Sequence, residues 1–249
     1  MRVLLFDVET SPNIGFTWGK WEQNVIEFIK ERQIICFSWK WLGEKETGVL
    51  SLPDLPGYKR DRDNNKALIA ALHKLISRAD IVVGHNIDGF DDKRANTDFI
   101  KHGFPPPPPH KTIDTLKVAR RRFQFNSNKL GDLGAFLKLG KKVKHWGFEL
   151  WRRCLEGDPK AWALMKKYNR GDVDLLGDVY LEMRPWMTNH PNLNLYVDST
   201  NKCPHCLSPN LIKKGLFHKE STVYQQYQCK GCGKFPRGEQ IKRDKITMR

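Results

Sequence analysis

Acidic residues near the N-terminus have a spacing that suits metal binding. The apolar run before Asp7 predicts a buried strand at residues 1–6, and Glu9 follows two positions later. Residues two apart on a strand point to the same face, so both carboxylates can converge on one cation. Burying such a pair is costly unless a cation neutralises it. A solvated strand end would account for the same residues.

A second acidic segment holds Asp88, Asp91 and Asp92. It follows a predicted strand at residues 81–84 and overlaps the start of a predicted helix at residues 90–102. Asp91 then falls near the helix N-terminus, facing the sheet edge where ligands gather in α/β proteins. Asp88 and Asp92 remain rivals for this role, and ordinary helix capping by aspartate is the alternative.

A third segment places Tyr168 and Asp172 four residues apart in a predicted helix, so they share one face. Other acids nearby, such as Asp174, also fit a plain surface helix. Taken together, Asp7, Glu9, Asp91 and Asp172 suit a site for two hard cations such as Mg²⁺ or Mn²⁺. Two such ions can clamp the attacking and leaving oxygens of a phosphodiester.

Four cysteines near the C-terminus form two C-x-x-C pairs separated by 22 residues: Cys203, Cys206, Cys229 and Cys232. This spacing predicts a tetrahedral Cys₄ site for one structural Zn²⁺ in a zinc ribbon, with His205 as a rival ligand. A strand around residues 224–228 fits the ribbon hairpin. Four thiolate ligands leave no open position for catalysis.

Charge indicates the class of partner. The net charge is +15, and residues 200–249 contribute 11 Lys or Arg against 3 Asp or Glu. Such a balance favours a polyanion, and we predict nucleic acid. Candidate contacts are Arg120, Arg121, Arg122, Lys141, Lys142, Lys144, Lys213, Lys214, Lys230 and Lys234. For the clusters at residues 120–122 and 141–144, a solvated basic face is the alternative.

The elements that must position these residues follow from apolar patterning. Strands are predicted at residues 33–42 and 48–52, and a helix at residues 64–78. Residues 116–183 are mainly helical, with breaks at 126–128, 140 and 158–159. The pattern predicts an α/β fold with a mixed central sheet flanked by helices.

Three regions are expected along the chain: a domain at residues 1–186, a polar linker at 187–199 and a zinc ribbon with a basic tail at 200–249. We find neither a signal-peptide apolar region nor a membrane-spanning stretch. The cysteine pattern suits a reducing compartment. A cytoplasmic protein without a membrane partner is the expectation.

The motifs F-D-V-E-T, N-I-D-G-F-D and Y-N-R-G-D resemble, in order and spacing, the three exonuclease motifs of the DEDD superfamily, which has a ribonuclease H-like fold. The second motif is most similar to family B DNA polymerase proofreading domains and to stand-alone bacterial and phage exonucleases. The Tyr-x-x-x-Asp form implies the DEDDy subtype. This resemblance covers roughly residues 1–186. The cysteine segment resembles the zinc ribbons of insertion-sequence transposases, which implies nucleic-acid contact.

The resemblance implies a role for each residue. Asp7 would bridge two metal ions, Glu9 and Asp172 would complete the first metal site, and Asp91 would hold the second. Tyr168 would orient the attacking water, since a hydroxyl of pKa near 10 suits positioning better than proton abstraction. The implied reaction is metal-dependent hydrolysis at nucleic-acid 3′ ends, with single-stranded ends as the expected substrate.

Two other functions remain open. The same site would serve a structure-specific endonuclease, because a fold alone does not decide where a strand is cut. A non-catalytic adaptor, in which only the zinc ribbon binds nucleic acid, belongs to a different class. The intact set of acids and Tyr168 argues against the adaptor.

Overall fold

A computed structural model describes residues 1–21, 24–197 and 201–241. Its strands are β1 (Val3–Thr10), β2 (Ile14–Phe16), β3 (Glu27–Lys30), β4 (Ile34–Trp41), β5 (Gly48–Ser51), β6 (Ile81–Gly84), β7 (Lys111–Asp114), β8 (Leu211–His218), β9 (Val223–Cys229) and β10 (Arg237–Gln240). Its helices are α1 (Lys66–Ile76), α2 (Asp91–Lys101), α3 (Thr115–Arg122), α4 (Leu130–Phe136), α5 (Phe148–Leu155) and α6 (Pro159–Met183). Residues 2–180 form one compact unit, and residues 181–249 with Met1 form the second.

A five-stranded mixed sheet, ordered β5-β4-β1-β6-β7, is the centre of the first unit. β1 runs parallel to β6 and antiparallel to β4. β6 is buried along its whole length, as expected for a parallel strand covered on both faces. The α1 residues at helical spacing, Leu68, Ile69, Leu72 and Ile76, are also buried. The predicted fold class, a mixed sheet flanked by helices, is confirmed.

The first strand is longer than its apolar run predicts. β1 continues past Phe6 because β4 pairs with it across the acidic segment, with Asp7 opposite Ser38 and Glu9 opposite Cys36. The pairing of β1 with β6 reaches only Leu5. Asp7 and Glu9 therefore lie within a strand that is paired on one side and open on the other.

A short hairpin, β2–β3, joins β1 to β4 and was not predicted from the sequence. It is a separate two-stranded sheet with exposed side chains. Trp18, in the connecting segment, is 90% exposed. Apolar residues in this segment therefore do not contribute to the central core.

The predicted helical region consists of α3 to α6, and its breaks lie where the sequence placed them. Asp158 ends the last break, since its carboxylate accepts hydrogen bonds from the amides of Lys160 and Ala161 at the start of α6. The break predicted at residue 140 is longer than expected, because residues 137–147 all lie outside helices. This loop carries Lys141 and Lys142.

The second unit contains a three-stranded antiparallel sheet, ordered β10-β9-β8. The described part of the predicted linker packs against this sheet's loops. Met187 is buried, and its carbonyl accepts a hydrogen bond from Lys234 Nζ at 2.6 Å. The Leu193 amide donates to the Pro204 carbonyl at 2.8 Å. Among the described residues, no helix has the length and apolar character needed to span a membrane.

Candidate active site and cysteine cluster

Three carboxylates converge at the open edge of β1. Asp7 and Glu9 project from one face of the strand, and Asp172 reaches them from α6. Oxygen atoms of the three side chains lie within 4.8 Å of one another. One Asp172 oxygen, Oδ1, is buried and has no hydrogen-bond partner within the described part of the protein. This arrangement offers a cation several oxygen ligands, including one with an unsatisfied lone pair.

Asp91 reaches the same edge by a different route. Where the pairing of β6 with β1 ends, the chain turns through Asn86, which has a left-handed φ of 68°. The helix α2 then begins at Asp91 itself, whose Oδ1 accepts a hydrogen bond from the Val8 amide at 3.1 Å. Asp91 is buried beside β1 but is not a member of the close three-carboxylate group.

The two rivals of Asp91 have other contacts. Asp88 forms an ion pair with Lys117 at 2.7 Å. Asp92 is half-buried and accepts a hydrogen bond from the Asn96 side chain at 3.3 Å. Of these three aspartates, Asp91 is the one directed at β1.

Asn169 orients Asp7, and sequence reasoning did not assign it a role. It is fully buried, and its Nδ2 donates to Asp7 Oδ2 at 2.6 Å and to the Asp7 carbonyl at 3.4 Å. The Cys36 thiol donates to Asn169 Oδ1 at 3.7 Å. The sequence offered one indication of this role: Asn169 lies between Tyr168 and Asp172 on one turn of α6.

Tyr168 lies against an aromatic wall. Its ring centroid is 4.7 Å from that of His145 and 6.2 Å from that of Trp151. The Trp151 side chain also acts on Glu9, where it lowers the pKa of the carboxyl against the larger effect of burial. Burial, followed by the nearby charge of Asp172, raises the pKa of Tyr168, so its hydroxyl remains a neutral hydrogen-bond donor.

Lys142 reaches into the acidic cluster, although the sequence analysis assigned it only to nucleic-acid contact. Its Nζ lies 2.5 Å from Asp172 Oδ2 and 3.4 Å from the Tyr168 hydroxyl. It offsets one of the clustered negative charges and is two-thirds buried. The sequence could not indicate this contact. Lys142 lies in a loop before α5, so no helical spacing relates its position to that of Tyr168.

The carboxylates shift one another's ionisation. Burial raises the pKa of Asp7 well above its usual value, and repulsion from Asp91 and Glu9 adds to this. Burial, followed by repulsion from Asp172, raises the pKa of Glu9 to about 8. Burial also raises the pKa of Asp91 to about 7. Such a cluster is unfavourable when ionised and is relieved by a bound cation, so these residues fit a divalent metal.

A cleft of about 910 Å³ opens beside Asp7. It contains three of the basic residues predicted to contact nucleic acid: Arg120, Lys141 and Lys142. The polar segment at residues 126–129 forms another part of its wall. The remaining predicted contacts in this unit, Arg121, Arg122 and Lys144, are exposed outside the cleft lining. The cleft gives an anionic strand a basic path to the carboxylates.

The four cysteines of the C-x-x-C pairs come together in the second unit. Their Sγ atoms lie within 4.8 Å of one another, with Cys203–Cys232 at 3.7 Å and Cys206–Cys229 at 3.6 Å. A tetrahedral ion with bonds of about 2.3 Å separates its ligands by about 3.8 Å, so the spacing fits Zn²⁺. His205 is outside this group; its Nδ1 is buried without a hydrogen-bond partner in the described structure. The cluster is compatible with a zinc ribbon.

The predicted basic contacts of this unit differ in environment. Lys213 and Lys214 are exposed on β8, and Lys230 is exposed beside Cys229. Lys234, in contrast, is held by the Met187 carbonyl. Exposed lysines are the ones available to phosphates.

Comparison with known proteins adds two findings. The family model described as exonuclease (RNase T) matches residues 56–149, a range that includes Asp91 and Lys142 but not Asp7 or Asp172. A search of curated proteins found no match. The chain is similar in structure to the family B DNA polymerase from the hyperthermophilic archaeon Pyrobaculum calidifontis, with a TM-score of 0.53 and 15% sequence identity.

That similarity covers 74% of this chain and 25% of the polymerase. The chain thus matches about a quarter of the polymerase's length, and the likeness concerns the fold. The exonuclease match over residues 56–149 supports a nuclease function, and the structural similarity adds the shared fold alone.

Proposed function

We propose that this protein is a metal-dependent 3′→5′ exonuclease of the DEDDy type. The observation that carries the proposal is the convergence of Asp7, Glu9 and Asp172 within 4.8 Å, beside a cleft with basic walls. The polarity rests on the motif resemblance to proofreading domains. The substrate we propose is the 3′ end of a single strand, which can enter the cleft as a flexible, unpaired chain.

The acids divide into two groups by geometry. Asp7, Glu9 and Asp172, whose oxygens lie within 4.8 Å of one another, would hold one divalent ion, and Asp91 would hold a second ion together with Asp7. Mg²⁺ or Mn²⁺ held there would supply Lewis-acid stabilisation of the charge that develops on the phosphodiester. Asn169 keeps Asp7 in the orientation that both sites share.

Tyr168 and Lys142 act beside the acids. The neutral Tyr168 hydroxyl orients the attacking water by hydrogen bonding. Lys142 Nζ lies near both Tyr168 and Asp172, so it can hold a phosphate oxygen when its contact with Asp172 opens. The Tyr168 ring packs against the aromatic wall of His145 and Trp151, which supports the orientation of its hydroxyl.

The zinc ribbon serves binding in this proposal. One Zn²⁺ on the four thiolates would fold the knuckles, and the exposed Lys213, Lys214 and Lys230 would contact phosphates. This raises affinity for the strand without reading its sequence, because phosphate contacts carry no base information.

One assay tests the proposal against its alternatives. Single strands labelled at the 5′ end, strands with a blocked 3′ end and circular single strands are incubated with the protein, with and without Mg²⁺. We expect Mg²⁺-dependent shortening from the free 3′ end, and no cutting of circles or blocked strands. Cutting of circles would show an endonuclease. Binding without any hydrolysis in Mg²⁺ or Mn²⁺ would show an adaptor.

A further inference from the structure

A second cavity, of about 1130 Å³, lies between the loop at residues 53–62 and the start of α6. Among the described residues, it shares no lining residue with the cleft beside Asp7. Trp162, which lines it, precedes Asp172 by ten residues, or about 15 Å along an α-helix. The cavity is therefore a separate site that shares α6 with Asp172.

Two aromatic rings form one wall of this cavity. Trp162 and Tyr58 meet edge to face, with ring centroids 6.3 Å apart. The Trp162 indole N–H donates to the Tyr58 hydroxyl at 3.0 Å. This hydrogen bond satisfies the indole and fixes both rings. Trp162 is almost fully buried, so the half-buried Tyr58 contributes the accessible part of this ordered apolar surface. Such a surface suits a flat, weakly polar group, including a nucleobase.

The charged side chains that line the cavity in the described structure are all basic: Lys59, Arg60, Arg62 and Lys166. Lys166 is paired with Asp54 at 2.8 Å, and Arg62 donates to a backbone carbonyl. Lys59 and Arg60 are exposed, and their side chains form neither ion pairs nor hydrogen bonds with other described residues. The cavity thus combines two fixed and two uncommitted cations, which is a suitable environment for a phosphate.

We propose that this cavity binds a nucleoside phosphate, with the base against Tyr58 and the phosphate at Lys59 and Arg60. The ligand is either a free nucleotide or one nucleotide unit of a strand, since both present the same groups. Ligand pockets commonly measure about 300–1,000 Å³, so the volume accommodates a mononucleotide with water. The proposal does not depend on hydrolysis at the acidic cluster.

Binding to the full-length protein tests this by calorimetry in buffer without Mg²⁺ or Mn²⁺. The probes are AMP, adenosine, inorganic phosphate and a 5′-phosphorylated tetranucleotide. We expect AMP or the tetranucleotide to bind at least about tenfold more tightly than adenosine or phosphate, because base and phosphate contacts add. Binding of AMP identifies a free-nucleotide site. Binding of the tetranucleotide alone identifies a strand-binding site at this cavity when the cavity variants below weaken it, because the cleft beside Asp7 and the zinc ribbon are also proposed to bind strands.

Two variants locate the site. Lys59→Ala with Arg60→Ala removes the uncommitted charge, and Ala163→Trp fills the cavity without removing charge. Each should weaken binding at least about tenfold. Lys45→Ala with Lys74→Ala, which removes two exposed lysines elsewhere, should not. Wild-type affinity in either cavity variant with an unchanged circular dichroism spectrum, or inorganic phosphate binding as tightly as both nucleotide probes, would overturn the proposal.

Discussion

Asp91 and Asp88 lie three residues apart but in different environments, so we expect their substitutions to affect hydrolysis differently. Asp91→Asn keeps the shape and can still accept the Val8 amide, but it loses the negative charge beside Asp7. We expect at least about a hundredfold loss of hydrolysis, because a weakened metal site costs several kcal/mol of transition-state stabilisation. Asp88→Asn breaks only an exposed ion pair and should retain most activity. A nuclease assay showing the reverse ranking would place the second metal ligand at Asp88.

Asn169 is a positioning residue, and its effect should depend on charge. Asn169→Asp would put a fourth acid against Asp7, whereas Asn169→Ala would remove the hydrogen bond and leave a small cavity. We expect the alanine variant to lower kcat about tenfold with little change in KM for the strand. The aspartate variant should lower kcat further and require more Mg²⁺. A change in KM alone would assign Asn169 to substrate binding.

At the scale of elements, the sequence predicted β1, β6, α2 and α6 well enough to bring the acids to one sheet edge. Apolar runs and helical spacing mark these elements, since they are buried and regular. The contacts of Lys142 and the hairpin β2–β3 escaped prediction because both depend on tertiary packing of irregular segments. The choice of Asp91 over Asp88 needed the Val8 hydrogen bond, which spans 83 positions of sequence.

Two helical glycines should respond in opposite directions to alanine. A Cβ at Gly177 of α6 would lie 3.6 Å from Leu5 Cδ2, an ordinary contact, so Gly177→Ala should stabilise the fold by about 0.5–1 kcal/mol through helix propensity. A Cβ at Gly134 of α4 would lie 2.6 Å from Leu175 Cδ1. We expect Gly134→Ala to be destabilising by about 1–3 kcal/mol. Urea unfolding of both variants measures the two changes.

At the scale of the whole molecule, the stability of the folded state should depend on both pH and Mg²⁺. Because the folded-state pKa values of Glu9 and Asp91 are raised to about 8 and about 7, the folded state retains protons that the unfolded chain has lost. Without divalent cations, this contribution is favourable at acidic pH and is lost as pH rises through 7 and 8. The thermal shift produced by Mg²⁺ should therefore be larger at pH 8 than at pH 6. Asp7→Asn should reduce the difference; an equal shift at both pH values would contradict the metal assignment.

The salt dependence of nucleic-acid binding should show whether the lysines of the ribbon contact phosphates. Lys213→Ala with Lys214→Ala removes two exposed charges from β8. If both contact single-stranded phosphates, the slope of log K against log salt should fall by about 1.4, at about 0.7 for each contact. Hydrolysis at saturating strand should persist, because the carboxylates lie in the other unit. An unchanged slope would remove these lysines from the nucleic-acid interface.

Because the Val8 amide donates a hydrogen bond to Asp91, its proton can report on the position of the Asp91 side chain. Amide protons exchange with deuterium when their hydrogen bonds open, and those of a central strand are among the slowest. The pairing of β1 with β6 ends at Leu5, so protection of the Val8 amide depends on the Asp91 side chain rather than on a neighbouring strand. Its exchange rate therefore follows the position of Asp91, and deuterium uptake at Val8 can reveal movement of this acid while no strand is being cut.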